Sequence, residues 1–178
     1  MKLSNRTKVL HAIIGISMIS LLIIGIYMSD NEVFSLYPIH KSVGVIVFVF
    51  ALIRIFTRIQ EGWPKAIGNA PKIQMLLAKL VHWGLIVITA LYPASGMMMS
   101  GAGGHGIYIF GIELLASNYD EVTGKAVALN ETIASIGHTL HDALTGVLIF
   151  LIVVHVAGAI KHHIIDKDET ITRMFSFK

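Results

Sequence analysis

The chain has 178 residues, of which 54% are hydrophobic and only 14% are charged. Because a soluble domain has about a quarter of its residues charged, this composition favours a lipid bilayer as the solvent. The formal net charge of +3 does not indicate a nucleic-acid partner, since the charges are sorted by membrane side. The absence of cysteine excludes disulfides, iron–sulfur clusters and cofactor attachment through sulfur.

Four apolar runs follow one another, over about residues 9–28, 38–56, 80–100 and 141–160. Each is about long enough to cross the ~30 Å hydrocarbon layer as a helix. The basic residues before the first run resemble the start of a signal peptide, but the run is long and no small-residue cleavage site follows it. We therefore expect it to be retained. The predicted fold is an all-α integral membrane bundle of four helices, forming one domain over residues 1–178.

Lysine and arginine residues are concentrated at the N-terminus, in the second connection and in the C-terminal tail. They are Lys2, Arg6, Lys8, Arg54, Arg58, Lys65, Lys72, Lys79, Lys161, Lys167, Arg173 and Lys178. The other two connections offer only Lys41 and Lys125 and are mainly acidic. By the positive-inside rule, both termini face the cytoplasm and the acidic connections face the periplasm. The sequence therefore predicts a multi-pass protein of the bacterial inner membrane.

Glycine and proline mark the longer connections. Between Gly62 and Pro71 they predict an irregular, turn-rich linker. The longest connection, from Gly101 to about Ile136, starts with several glycines and contains apolar patches over residues 107–112 and 126–129. We expect it to be partly ordered against the outer membrane surface. Pro93, inside the third run, predicts a kink.

Several of the nine histidines lie within or beside the apolar runs, at two depths. The inner level holds His11, His82 and His155, and the outer level holds His40 and His141. An ionisable side chain inside a membrane span is expensive, so it usually has a functional partner.

His141 and His155 lie 14 residues apart on the fourth predicted helix. This spacing separates them by about 21 Å along the axis and rotates them by only ~40°, so both rings leave roughly the same face. One helix therefore offers a ligand at each level, facing His40 at the outer one and either His11 or His82 at the inner one. Two facing imidazoles saturate haem iron and suit electron transfer rather than oxygen binding.

Small residues close to these histidines, Gly15, Gly44 and Gly158, would leave room for a flat macrocycle, although glycine is also common at ordinary helix contacts in membranes. A single histidine at such a depth more often forms a hydrogen bond between helices or lies at the headgroup level. Matched depths on several helices favour ligation instead. A zinc or copper site would need three or four ligands converging at one level, without help from cysteine or carboxylate.

The remaining histidines are expected to be peripheral. His162 and His163 follow Lys161 and are predicted to be solvated at the cytoplasmic surface, and His105 lies in the glycine-rich loop. His138, at the start of the fourth span, is the competitor of His141 as outer ligand.

The stretch from His141 to Met174 has a specific pattern. It consists of His141, His155, Lys161-His162-His163, Lys167-Asp168, Thr170 and Arg173-Met174. Ile39-His40 at the start of the second run, and Pro93, Gly96 and Met97–Met99 in the third, fit the same pattern. With these features the chain resembles the bacterial cytochrome b561 family along its whole length. The resemblance implies four helices and two b haems, one near each membrane face.

The resemblance also implies the axial ligands of the haem iron. The family pattern assigns His11 and His155 to the inner haem and His40 and His141 to the outer haem, and it gives His82 no iron.

The sequence departs from the family at two places. Ala12 follows His11, where relatives often have tryptophan, and Lys79 and His82 occupy a region where relatives can show two histidines. These departures do not affect the implied iron ligands, but they put in doubt a quinone or proton site on the third helix.

The resemblance implies transfer of electrons from a small periplasmic donor, superoxide in some members, to ubiquinone or menaquinone. Lys41, beside His40, is a candidate contact for a haem propionate, a lipid headgroup or an anionic substrate, and His82 is a candidate contact for the quinone. No residue is predicted to be catalytic in its own right, since the haem would carry the chemistry.

Two other functions remain compatible with the sequence. The chain would be a haem-bearing anchor if it only relayed electrons for a partner redox enzyme. It would be a metal or haem transporter if the histidines lined a pathway, although Asp142, at the edge of a span, is the sole acidic residue there.

Overall fold

The computed structural model describes residues 3–64 and 71–176. The helices are α1 (Asn5–Asp30), α2 (Tyr37–Glu61), α3 (Lys72–Ala102), α4 (Glu131–Ile164) and α5 (Thr170–Phe175), with a 3-10 turn at Phe34–Leu36. An antiparallel hairpin of β1 (Ile107–Ile109) and β2 (Ile112–Leu115) follows α3. Each of α1 to α4 is long and apolar enough to cross a membrane. The predicted all-α fold with four spanning helices is confirmed.

The helices extend beyond the apolar runs because capping residues lie outside them. Ser4 caps α1, its Oγ accepting from the N–H of Thr7 at 3.0 Å, and Asn130 caps α4 in the same way. Four basic residues expected in the second connection lie inside helices instead, Arg54 and Arg58 in α2 and Lys72 and Lys79 in α3. Residues 65–70 of that connection lie outside the described residues.

Packing follows the chain order: α1 lies on α2, α2 on α3, and α3 most extensively on α4. Glycine makes the last contact close. A Cβ at Gly137 would meet the backbone nitrogen of Met99 at 2.5 Å, so only glycine permits this approach of α4 to α3. By contrast, α1 and α4 share almost no backbone contact among the described residues, and a seam runs between them.

The buried apolar core lies between the two histidine levels. Its members are Ile14, Met18, Leu21, Leu22, Val47, Ile88, Tyr92 and Leu148. Leu148 is fully buried and lies seven residues from both His141 and His155. A dry layer from all four spanning helices thus separates the two ends of the bundle.

The apolar patch over residues 107–112 forms the hairpin, which is fixed to the outer end of α2. The N–H of Phe110 donates to Ser42 Oγ at 2.9 Å, and that hydroxyl donates to the carbonyl of Pro38 at 2.7 Å. Gly104 has a φ of +83°, and a Cβ there would overlap the carbonyl of Val127. The predicted order of this connection therefore depends on local hydrogen bonds and on glycine.

The C-terminal segment folds back onto α4 and α1. His162 Nδ1 lies 2.8 Å from Asp168 Oδ2, while Asp168 Oδ1 accepts from the N–H of Thr170 at 2.8 Å. Burial alone would raise the pKa of Asp168, but the hydrogen bonds from Thr170 and His162 hold it below its ordinary value. These bonds direct α5 so that the Phe175 ring lies 6.3 Å from the His11 ring.

Candidate functional site

The outer histidines His40 and His141 line one cavity of about 260 Å³. Each spanning helix contributes to its wall, since Gly25 comes from α1, His40 from α2, Tyr92 from α3 and His141 from α4. Depth alone predicted this pairing, and the structure places both rings at one opening.

The ring of His141 is oriented by α3. Its Nδ1 lies 3.1 Å from the carbonyl oxygen of Tyr92 and 3.0 Å from Ser95 Oγ, and its ring stacks on Tyr92 at 4.2 Å. Since the Ser95 hydroxyl donates to the same Tyr92 carbonyl, Nδ1 is best assigned as an N–H donor to that carbonyl. This tautomer leaves the lone pair on Nε2, as a metal ligand requires.

Two glycines make space for the outer rings. A Cβ at Gly25 would lie 3.1 Å from His40 Cε1, and a Cβ at Gly96 would lie 3.1 Å from His141 Cε1. The Nδ1 of His40 is buried and has no hydrogen-bond partner among the described residues. A buried imidazole nitrogen without a partner is costly unless it binds something else.

The inner level brings three histidines together at the other end of the bundle. The His155 ring lies 6.0 Å from the His11 ring and 5.0 Å from the His82 ring, the latter edge to face. A metal–imidazole bond is about 2 Å long, so rings 6.0 Å apart leave room for one metal ion between them. His11 Nδ1 is buried without a partner in the described chain, whereas His82 Nδ1 lies 2.6 Å from the carbonyl of Ala78. These contacts alone do not choose between His11 and His82.

Arg54 completes the inner cluster from α2. It interacts electrostatically with His11, His82 and His155, and its Nη1 is buried without a hydrogen-bond partner in the described part of the chain. Sequence reasoning missed this residue because it counted Arg54 only as a marker of membrane side.

The residues present fit a flat macrocycle with two nitrogen ligands at each end. The facing imidazoles provide the nitrogen ligands, and a Cβ at Gly15, Gly44 or Gly158 would meet nothing within 4 Å. These observations agree with the space expected from the sequence.

The peripheral histidines lie elsewhere. His138 is exposed and lies 3.2 Å from Asp142, and His162 is held by Asp168. His105 is exposed near Tyr119, and partial burial and the charge of Lys41 lower its pKa. None of these three histidines lines the outer cavity, although Asp142 does.

Lys41 is half-buried beside His40. Its ammonium lies 5.6 Å from the ring centre of Tyr108 on the hairpin. It forms none of the ion pairs found within residues 3–64 and 71–176.

Sequence reasoning also missed the groups that orient the outer histidines, Gly25, Tyr92 and Ser95. A signal existed for two of them, because Tyr92 and Ser95 are polar residues inside an apolar run and flank Pro93. Gly25 had no comparable signal.

Comparison with known proteins identifies the family. The model of the prokaryotic cytochrome b561 family matches residues 2–177. The chain is 28% identical over 136 residues to cytochrome b561 homolog 2 of Escherichia coli, covering 76% of this chain and 68% of that protein. It is 25% identical over 174 residues to the probable superoxide oxidase CybB of Yersinia pestis, covering 93% and 94%. The chain therefore belongs to the prokaryotic cytochrome b561 family, and it is a bacterial membrane protein that binds haem b and transfers electrons.

Proposed function

We propose that this chain binds two b haems and transfers electrons from a small donor at its outer end to a membrane quinone. The observation that carries the proposal is the placement of two histidine clusters at opposite ends of the bundle, on either side of the apolar core. His40 and His141 hold the outer iron, and His11 and His155 hold the inner one. Each bound haem would supply a one-electron iron couple.

The chain's own residues fix the ligands and exclude water. The Tyr92 carbonyl and Ser95 select the tautomer of His141, which makes Nε2 the ligand atom. Leu148 and its neighbours keep the layer between the sites apolar. A dry surrounding favours the less charged state of a metal centre and so influences its potential.

Superoxide is the donor we favour, because the relative covered over 94% of its length is named a probable superoxide oxidase. Two superoxide anions would give two molecules of oxygen and two electrons, which with two protons convert one quinone to quinol. Lys41 would attract the anion to the outer end, or else pair with a haem propionate. His82 would exchange a proton with the quinone at the inner end, since it is exposed there and lies next to His155.

The orientation follows the lysine and arginine distribution. Both termini face the cytoplasm in the bacterial inner membrane, which puts the outer cavity and the hairpin at the periplasmic side. A periplasmic reporter fused after Lys178 should be inactive. An active reporter would mean that the C-terminus is periplasmic, so that the outer cavity would face the cytoplasm and the inner cluster would face the periplasm.

The direct test is a pyridine haemochrome assay with reduced-minus-oxidised spectra of the purified protein. Two low-spin b haems per chain are expected, and one or none would reject the proposal. Reduction of ubiquinone or menaquinone analogues by the protein alone, with superoxide as donor, then tests the direction of transfer.

Failure to reduce quinone in the presence of two haems would instead indicate a haem-bearing anchor that relays electrons for a partner enzyme. Lys41→Gln separates the two roles of that lysine. Slower reaction with superoxide at unchanged haem content supports anion attraction, whereas faster loss of the outer haem supports a propionate contact.

A further inference from the structure

Arg54 lies on the same face of α2 as His40, one level deeper. The two residues are 14 positions apart, the spacing that also separates His141 from His155 on α4. At 1.5 Å per residue this is about 21 Å along the axis with a net rotation of ~40°. Each end of the bundle therefore receives one residue from this face of α2, a histidine outside and an arginine inside.

The guanidinium of Arg54 lacks an anionic partner within the described part of the chain. Its Nη1 is buried with no hydrogen bond, and it forms none of the ion pairs found among residues 3–64 and 71–176. The titratable groups found to interact with it in the described chain are His11, His82, His155 and Arg58, and none of these can carry a negative charge beside it. An arginine inside a membrane span without a counter-charge is strongly unfavourable.

Three of the carboxylates described at this end of the bundle are engaged elsewhere, and the fourth, Glu169, is exposed. Glu61 accepts from Ser4 Oγ at 2.7 Å and from Thr7 Oγ1 at 2.8 Å. Asp166 and Asp168 pair with Lys161 and His162 on α4. The missing counter-charge is therefore expected to come from a bound molecule.

We infer that Arg54 binds a propionate carboxylate of the inner haem, an inference that rests on the proposed two-haem function. Haem b carries two such carboxylates, and a guanidinium can hold a carboxylate through two parallel hydrogen bonds. The pairing neutralises the buried cation and fixes the rotation of the macrocycle about the axis between His11 and His155. Arg54 is thus a positioning residue of the inner site rather than an iron ligand.

The matched control is Arg58, one helical turn further along α2. It has partners of its own, because its Nη1 donates to the carbonyl of Gly62 at 2.8 Å and its guanidinium lies 5.4 Å from the Trp63 ring centre. Arg58→Gln therefore removes the same charge without removing the proposed contact.

The test measures haem transfer from the purified holoprotein to excess apomyoglobin, in uncharged detergent. Arg54→Gln should release the inner haem about ten- to a hundredfold faster than wild type, the range expected for a lost charge-assisted hydrogen bond. Arg54→Lys should release it at an intermediate rate, because the charge remains but the planar fork is lost. Arg58→Gln should behave like wild type.

The midpoint potential of the inner haem gives an independent readout. Removing a cation beside the haem favours the oxidised iron, so Arg54→Gln should lower that potential and leave the outer haem unchanged. In a His11→Ala, His155→Ala background, which lacks the inner haem, Arg54→Gln should have no further effect on release or potential. Elution as a single monodisperse species in size-exclusion chromatography shows that a variant is folded. If Arg54→Gln does not fold, Arg54→Lys still tests the contact.

Three results would overturn the inference. They are an unchanged release rate and potential in Arg54→Gln, an effect on the outer haem, and an effect seen only in nanodiscs containing phosphatidylglycerol. The last would identify a lipid phosphate as the counter-charge. Failure of the two-haem proposal itself is recognised separately, because the wild-type protein would then hold fewer than two haems.

Discussion

The two ends of the bundle organise their histidines in different ways. At the outer end, His141 is held by a backbone carbonyl, a hydroxyl and a stacked ring, and it shares a defined cavity with His40. At the inner end, the rings of His11 and His82 lie 6.0 and 5.0 Å from the ring of His155, beside Arg54, whose Nη1 has no hydrogen-bond partner among the described residues.

From this difference we expect the two ends to take different parts in electron transfer. Under the proposed assignment, a ligand held in place by α3 would give the outer iron one arrangement, which suits exchange of single electrons with a small donor. The inner end has a spare imidazole, which suits a reaction that also moves protons, as reduction of a quinone does. Removing the proposed ligands from one end at a time tests whether the two ends act independently.

The largest effect is expected from double substitution of the ligands. His11→Ala with His155→Ala should retain one haem, whereas His11→Ala with His40→Ala should retain none, because ligands at one depth share an iron. Haem content per chain, measured by pyridine haemochrome, decides the matter. A full haem remaining in the second double mutant would show that the pairing is wrong.

A glycine substitution should damage the outer end alone. Gly96→Val places new atoms against the His141 ring, whose Cε1 lies 3.1 Å from the Cβ position. Displacement of an axial ligand should weaken outer haem binding by about 10- to 100-fold, the range seen for disturbed supporting contacts.

Gly84→Val is the matched control on the same helix. Its Cβ would lie 3.1 Å from Leu151 Cδ1, the flexible end of a side chain on α4 and not a histidine ring. Both haems should remain. Equal loss of outer haem in the two variants would indicate a general disturbance of α3 and α4 instead of a specific one at His141.

His82→Ala tests whether the third imidazole at the inner end binds iron or exchanges protons. Both haems should remain, because the family pattern gives this position no iron, while reoxidation by quinone should slow if the ring exchanges protons. Stopped-flow spectra of the reduced protein mixed with a quinone analogue measure the rate. Loss of one haem would instead make His82 the partner of His155.

The smallest effect is expected at the C-terminal segment. Asp168 has a lowered pKa, so its contribution to the folded state is present above its ordinary value of 3.8 and is lost as the pH falls through the lower, folded value. Asp168→Asn should remove the contribution at neutral pH and release the inner haem about two- to fivefold faster, because Phe175 no longer packs near His11.

Glu169→Gln is the control for that substitution, since it removes a neighbouring charge from an exposed side chain. The rate of haem transfer to apomyoglobin between pH 3 and pH 7, roughly the range over which carboxylates titrate, provides the measurement. A wild-type rate in Asp168→Asn would show that the segment does not protect the inner site.

The sequence predicted the four helices because long apolar runs leave few alternatives in a bilayer. It also predicted which histidines share a level, since helical rise converts residue spacing into depth. It did not predict the contacts of His141 with Tyr92 and Ser95, or the fit of Gly25 against His40, because these depend on how neighbouring helices are rotated. The role of Arg54 was missed because its positive charge was taken only as a marker of membrane side, although it lies inside the second apolar run and inside α2.

The seam between α1 and α4 has a consequence for biogenesis. Since these helices share almost no backbone contact in the described chain, they are joined through side chains, those of the apolar core and, at the inner end, those of His11 and His155. A molecule bound between the two rings would join the first helix inserted to the last. Binding to the folded form alone adds about 4 kcal/mol when the free ligand exceeds its dissociation constant a thousandfold. The supply of haem would then set how much of the chain escapes membrane proteolysis, so cells starved of iron should accumulate less of the protein at unchanged rates of synthesis.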